Sequence, residues 1–155
     1  MATTRRDSPL TKQELDAWRG LLRVHRDVVA RLDAELEREQ GIPLSSYEVL
    51  ISLADSSDGR LRMGELAGAL LLSRSGLTRL VDRLERQGMV ARERCEDDAR
   101  GYFAAITDAG REKLESARPT HWGGIREHFL GRLTPDDLDA LAHAWTRVQT
   151  GANSA

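Results

Sequence analysis

Residues 73–101 read SRSGLTRLVDRLERQGMVARERCEDDARG. Ser73 stands where it can cap a helix in which Leu77, Leu80, Val81 and Leu84 share one face, while Ser75, Gly76, Thr78, Arg79, Asp82, Arg83 and Arg86 share the other. The leucine face can anchor the helix to a core. The opposite face carries hydroxyls and guanidiniums beside a glycine that permits close approach, which suits phosphates and purine edges in a major groove. Gly88 then stops the helix. Residues 89–94 and 102–106 alternate as two strands joined by a charged loop over 95–101, so the spacing predicts a wing.

The stretch upstream completes the motif. Leu71, Leu72 and Ser73 leave room only for a tight turn, so a short helix near 63–70, burying Leu66, Ala67 and Leu70, makes a helix-turn-helix with the one that follows. Arg60, Leu61 and Arg62 alternate like an edge strand after a turn over 55–59.

Further out lie long helices. Thr11 and Glu14 form a capping box for a helix over 11 to about 39, whose stripe of Leu15, Trp18, Leu22, His25, Val29, Leu32 and Leu36 has the spacing of a seam between helices. Gly41 and Pro43 end it, and a second helix is expected to begin at Ser45 or Ser46, carrying Tyr47, Val49, Leu50 and Leu53. Thr107 and Asp108 cap a fifth helix, expected to bend or break at Pro119, where the ring removes a backbone donor. Thr134, Pro135, Asp136 and Asp137 start a last helix with the stripe Leu138, Leu141, Trp145 and Val148.

Composition agrees with one soluble domain: 155 residues, 40% hydrophobic and 31% charged, with no apolar run approaching the roughly twenty residues of a membrane span. The first residues lack the apolar segment of a signal peptide, and a single cysteine, Cys95, cannot form an internal disulfide, so a cytoplasmic protein is expected. Net charge is −2, yet Arg60, Arg62, Arg74, Arg79, Arg92 and Arg100 crowd the middle third while acids gather elsewhere. A local basic surface is therefore compatible with the sum. Arginine outnumbers lysine 21 to 2, a bias that a GC-rich genome explains better than function does.

Taken together, Leu66 and Ala67, LSRSGLTRLVDRLERQGMV, Asp98-Ala99-Arg100-Gly101 and Ile106-Thr107-Asp108-Ala109-Gly110 resemble the MarR family of transcriptional regulators, in an order of elements that spans about residues 11–150. The resemblance implies a mainly α fold with a small antiparallel β wing. In it a winged helix-turn-helix over 44–107 binds DNA, and helices over 11–40 and 108–150 form a dimerisation domain. By position it assigns Ser73, Arg74, Ser75, Gly76, Thr78, Arg79 and Arg83 to the recognition helix, Arg94 to the entrance of the wing, and Asp98 with Arg100 to its tip. There Asp98 can hold the loop and leave Arg100 to enter a narrow minor groove. Glu96 and Asp97 oppose that attraction unless they point away.

A homodimer is expected, because the outer helices carry more apolar surface than one winged helix covers. Two-fold symmetry predicts a pseudo-palindromic operator on double-stranded DNA. The family often senses aromatic acids or phenols where dimer helices meet the DNA-binding lobe, and Trp18, His25, Tyr47 and His121 are the candidates, with ordinary packing as the alternative for each. Repression released by such an effector is the expectation; activation, or redox sensing through Cys95, is the alternative. Acids at 96–98 oppose thiolate formation, so Cys95 reads as a neutral, modestly exposed wing residue. The histidines lack paired spacing, so neither a metal nor another cofactor is expected. No phosphate loop, nucleophile turn or His-activated serine is present, so catalysis is not expected. The rival from another class is a winged helix that binds only protein, which a flat salt response would reveal.

Overall fold

The computed structural model describes residues 8–70, 72–95 and 98–152, the side chains of residues 98–100, 151 and 152 excepted. The elements run α1 (Lys12–Gln40), α2 (Leu44–Ala54), β1 (Arg60–Arg62), α3 (Met63–Ala69), α4 (Arg74–Arg86), β2 (Val90–Cys95), β3 (Asp98–Ile106), α5 (Asp108–His128), a 3-10 turn (Leu130–Arg132) and α6 (Pro135–Ala152). The fold is mainly helical with one small antiparallel sheet, as the sequence predicts.

The local start signals act as read. Thr11 and Glu14 close their capping box at α1, and Gly41 ends that helix at φ 67°, a left-handed value that glycine adopts without strain. The second helix starts one residue earlier than expected. Pro43 occupies its N-cap position and has no side-chain acceptor, so Asp33 reaches across from α1 and its Oδ1 accepts from Leu44 N at 2.8 Å. Asp33→Ala is expected to cost about 1 kcal/mol, in line with the loss of a helix cap; an unchanged urea midpoint would count against this role.

The core is built where α2, α4 and the sheet meet α1 and α5. Leu36, Val49, Leu50, Leu53, Leu66 and Leu84 are fully enclosed in it. These are the positions with helical spacing on each stripe, so burial follows the periodicity. The sheet has the order β1-β3-β2, with β3 central and antiparallel to both neighbours. Arg60–Arg62 thus forms an edge strand and joins the hairpin. β3 begins at Asp98 instead of Tyr102, so the strand takes in much of the expected loop.

Two expectations are corrected. Of the bend or break expected at Pro119, the break does not occur: the fifth helix runs through to His128. Pro119 is exposed, so its ring projects to solvent, while Leu114, Ala117 and Gly124 are buried on either side of it. Gln40 Nε2 donates to Thr120 Oγ1 at 3.0 Å and Lys113 Nζ donates to the Gln40 carbonyl at 3.0 Å, fastening α5 to the end of α1 around the proline. His128 Nε2 and Glu35 Oε1, 2.5 Å apart, fasten the same two helices further along.

The second correction concerns Cys95, expected at the surface of the wing and in fact buried. The β2–β3 register shifts between Arg94 and Cys95, and Cys95 then pairs with Asp98. Between these two pairs β2 advances one residue while β3 covers the four from Asp98 to Tyr102, and such an irregularity re-aims the side chains beyond it. The burial removes the exposure that a thiol sensor requires.

The outer helices are covered least. Trp18, Leu22 and Val29 of α1 are exposed, Trp18 by 55%, although Leu32 and Leu36 of the same stripe are buried. On α6, no residue from Pro135 to residue 150 is buried, and Val148 is 65% exposed. Among the described residues, no helix is long and apolar enough to cross a membrane.

Candidate nucleic-acid interface

Ser73 caps α4, its Oγ accepting from Gly76 N at 3.1 Å. Leu77, Leu80, Val81 and Leu84 are buried beneath the helix, so the residues between them must face outward. Ser73, Arg74, Ser75, Thr78 and Arg79 are accordingly exposed, with Gly76 half-buried among them. A β-carbon on Gly76 would meet Ser73 Oγ at 3.1 Å, so the glycine leaves room for the cap. Thr78 Oγ1 donates back to the Arg74 carbonyl at 2.8 Å. Among the described residues, neither the Arg74 nor the Arg79 guanidinium makes a hydrogen bond or ion pair, so both retain their donors for a ligand.

Arg83 departs from the expected outward pose. It is half-buried, and its Nη2 donates to Ser46 Oγ on α2 at 2.9 Å while its Nε is enclosed without a partner among the described residues. Ser46 is itself fully buried. The arginine stem therefore ties α4 to the helix behind it, and Arg83 is corrected from an outward-facing residue to an anchor.

The hairpin stands beside α4. Arg94 is exposed on β2, as required of a residue at the wing entrance. The side chains of Asp98 and Arg100 lie outside the described residues. Between α3, α4 and the hairpin is an open cleft of about 1230 Å³, whose walls include Arg62, Arg74, Thr78, Arg92 and Tyr102. Arg60 and Arg62 both lie over the Phe103 ring, at 4.7 and 5.4 Å from its centroid, which fixes two more cations at the sheet edge.

The four effector candidates separate into two groups. Tyr47 and His121 come together, ring centroids 4.4 Å apart, between α2 and α5. Trp18 and His25 are exposed on the first half of α1 and make no ring contact with that pair among the described residues. Burial raises the Tyr47 phenol above its usual pKa and pushes the His121 imidazole down, so both are held neutral near neutral pH. Tyr47 Oη, His121 Nδ1 and Arg118 Nε are all buried without a hydrogen-bond partner among the described residues. Buried polar atoms are ordinarily paired, so three orphans in one region are an unusual concentration.

Sequence reading missed Arg118. The available signal was its place one turn before His121 and Trp122; its guanidinium lies 5.4 Å from the Trp122 ring and bonds Glu115 at 2.9 Å. It also missed the grouping of Glu35, Glu127 and His128, whose donor atoms lie within 4.8 Å of one another. The close His128–Glu35 contact satisfies both partners, and we read it as a brace between α1 and α5.

Comparison with known proteins places this geometry. The MarR family profile matches residues 40–101, the stretch from the end of α1 into the first residues of β3. The crystal structure of AbsC, a MarR family transcriptional regulator from Streptomyces coelicolor, superimposes with a TM-score of 0.84 at 35% identity, covering 96% of this chain and 99% of that one. Sco3205 from the same organism, a MarR family regulator solved in complex with DNA, gives a TM-score of 0.84 at 38% identity over 93% of this chain and 91% of that one. Among curated sequences, the uncharacterized HTH-type transcriptional regulator YkoM of Bacillus subtilis is 34% identical over 104 residues, 67% of this chain. The chain spans 66% of YkoM, and 52% and 55% of two further curated relatives. A capped helix with an outward polar face, an adjoining antiparallel hairpin and two whole-length structural matches above 30% identity converge: the chain belongs to the MarR family of winged helix-turn-helix transcriptional regulators.

Proposed function

We propose that the protein is a homodimeric transcriptional repressor that binds a pseudo-palindromic duplex in the cytoplasm and releases it when a small effector binds. The observation that carries this reading is the outward face of α4, where Arg74 and Arg79 stand exposed beside the hairpin and above a buried leucine stripe. The family relative Sco3205, solved with DNA, supports the duplex as ligand. Repression is favoured over activation because occupancy alone blocks a promoter, whereas activation needs a polymerase contact.

Dimerisation is supported by the exposed stripes of α1 and α6. Two copies would place recognition helices at half-sites roughly 10 base pairs apart. The effector reading is supported by the unpaired atoms of Tyr47, Arg118 and His121, which suit a small aromatic acid: a carboxylate for the guanidinium and a ring for the aromatic pair. Trp18 and His25 are available to such a ligand only if a second copy brings its own surfaces to α1.

The test is selection of duplexes from a random pool by the purified protein, followed by a salt titration of the selected sequence. Affinity should fall steeply with salt, by a slope of about 0.9 per neutralised phosphate. Arg79→Ala should weaken binding by about 1 to 3 kcal/mol. A flat salt response would point to a protein partner, and an unchanged affinity of the Arg79 variant would remove that residue from the interface.

A further inference from the structure

An ionic network joining the reading helix to the wing centres on Arg92 of β2. Its Nη2 lies 2.6 Å from Asp82 Oδ1, its Nη1 lies 3.1 Å from Glu85 Oε2, and Nη2 also points to the Thr78 carbonyl at 3.5 Å. Thr78, Asp82 and Glu85 follow one another at spacings of four and three, so they form a single ridge along α4. One planar guanidinium therefore spans two turns of the helix from the neighbouring strand, with its side chain only 24% exposed. Glu93, the next residue of the strand, points to the other side and pairs with Arg60 at 2.9 Å. The two sides of β2 are thus fixed independently, one to the reading helix and one to β1.

We propose that Arg92 is a positioning residue for DNA binding: by gripping the Thr78–Asp82–Glu85 ridge it sets the angle between recognition helix and wing, so the two meet a duplex as one rigid unit. This rests on the DNA-binding reading above. Both acidic partners are more than 40% exposed, so solvent screening keeps the contribution of the network to global stability modest. Its geometric effect is larger, because the inner end of the hairpin is already held by residues 87–89, by the pairing of β3 with β1 and by the burial of Val90 and Ala104, so the grip of Arg92 sets how the outer end stands against α4. Arg92 need not touch phosphate to matter. Thr78, whose carbonyl the guanidinium approaches, and Arg79 beside it are on the exposed reading face, so the grip bears directly on the segment that would enter the groove.

Two variants and the wild type decide the matter, with a duplex selected from a random pool by the wild-type protein as probe. Arg92→Gln is expected to bind it about tenfold more weakly, a change of about 1.4 kcal/mol, with an unchanged salt slope and a thermal midpoint close to wild type. The paired variant Asp82→Asn with Glu85→Gln removes two negative charges from the DNA-facing helix, so simple electrostatics predicts tighter binding; the grip predicts binding about tenfold weaker. In the free proteins, both variants should exchange the amide hydrogens of β2 and β3 faster while those of α2 stay protected. Tighter binding by the Asp82/Glu85 variant overturns the proposal, as does a salt slope reduced by about 0.9 in Arg92→Gln, which marks a direct phosphate contact. Unaltered exchange in the hairpin overturns it whatever the affinities. Failure of the wild type to select any duplex, with hairpin exchange still accelerated in the variants, overturns the DNA-binding reading while the grip itself stands.

Discussion

Glutamates placed together at Trp145 and Val148 are expected to leave the protein monomeric and its affinity for a selected duplex about 10²- to 10⁴-fold weaker. The loss is that of bivalency: two half-sites held by one dimer benefit from an effective concentration that two separate monomers lack. The argument starts from exposure. Leu138, Trp145 and Val148 form a stripe at heptad-like spacing on α6, and all three are large apolar side chains open to solvent. Trp18, Leu21 and Leu22 present a second such surface on α1. An amphipathic helix with its apolar side uncovered is a poor structure for an isolated chain in water, and the proposed two-fold partner would cover both stripes with one self-complementary contact. Sedimentation velocity at micromolar concentration reads the assembly state, and fluorescence anisotropy on the selected duplex reads the affinity. A wild type that sediments as a monomer would refute the dimer, and a variant that remains dimeric would move the interface away from α6.

Replacing Gly110 with alanine is expected to destabilise the fold by about 3 kcal/mol, at the upper end of the range for overpacking. A β-carbon there would lie 2.2 Å from the Met89 carbonyl oxygen and 2.9 Å from Ile106 Cγ1. The first of these is backbone, which cannot swing aside as a side-chain tip does. The crowding arises because Thr107 draws two segments together: its Oγ1 accepts from Gly110 N at 3.1 Å and donates to the Gly88 carbonyl at 2.6 Å, while Thr107 N donates to the Met89 carbonyl at 3.1 Å. The first turn of α5 consequently lies flat on the chain that leaves α4. Gly68 provides the control, since it is helical and a β-carbon there meets nothing within 4 Å. Gly68→Ala should be neutral or stabilising by up to about 1 kcal/mol. Urea unfolding of both variants tests the contrast; equal midpoints for Gly110→Ala and wild type would show that the close approach carries no energetic weight.

The features legible in the sequence are those set by neighbours in the chain. Capping by Thr11, Ser73 and Thr107 is decided within three residues, and the stripe of Leu77, Leu80, Val81 and Leu84 by helical periodicity, so the reading helix emerges close to its expected limits. What the sequence hides is set by partners far along it. Arg83 turns inward because Ser46, 37 positions away, offers an acceptor in the core. Cys95 is buried beyond a shift in the register of the hairpin, which depends on how far β2 pairs along β3. Pro119 fails to break α5 because α1 holds the helix on both sides of it. The orphaned atoms of Tyr47, Arg118 and His121 are likewise invisible until α2 and α5 are brought together. Local chemistry therefore predicts which elements form, while long-range packing decides which of their polar side chains remain free to bind a ligand.

The continuity of β3 and α5 has a mechanical consequence. A single residue, Thr107, separates the strand that ends at Ile106 from the helix that begins at Asp108, and that residue is pinned to the backbone at 88–89. Twenty-one helical residues make a rod roughly 30 Å long, with no slack where it enters the sheet. Any tilt applied at its distant tip must reappear at the hairpin with the opposite sense, as in a seesaw whose fulcrum is a threonine hydroxyl.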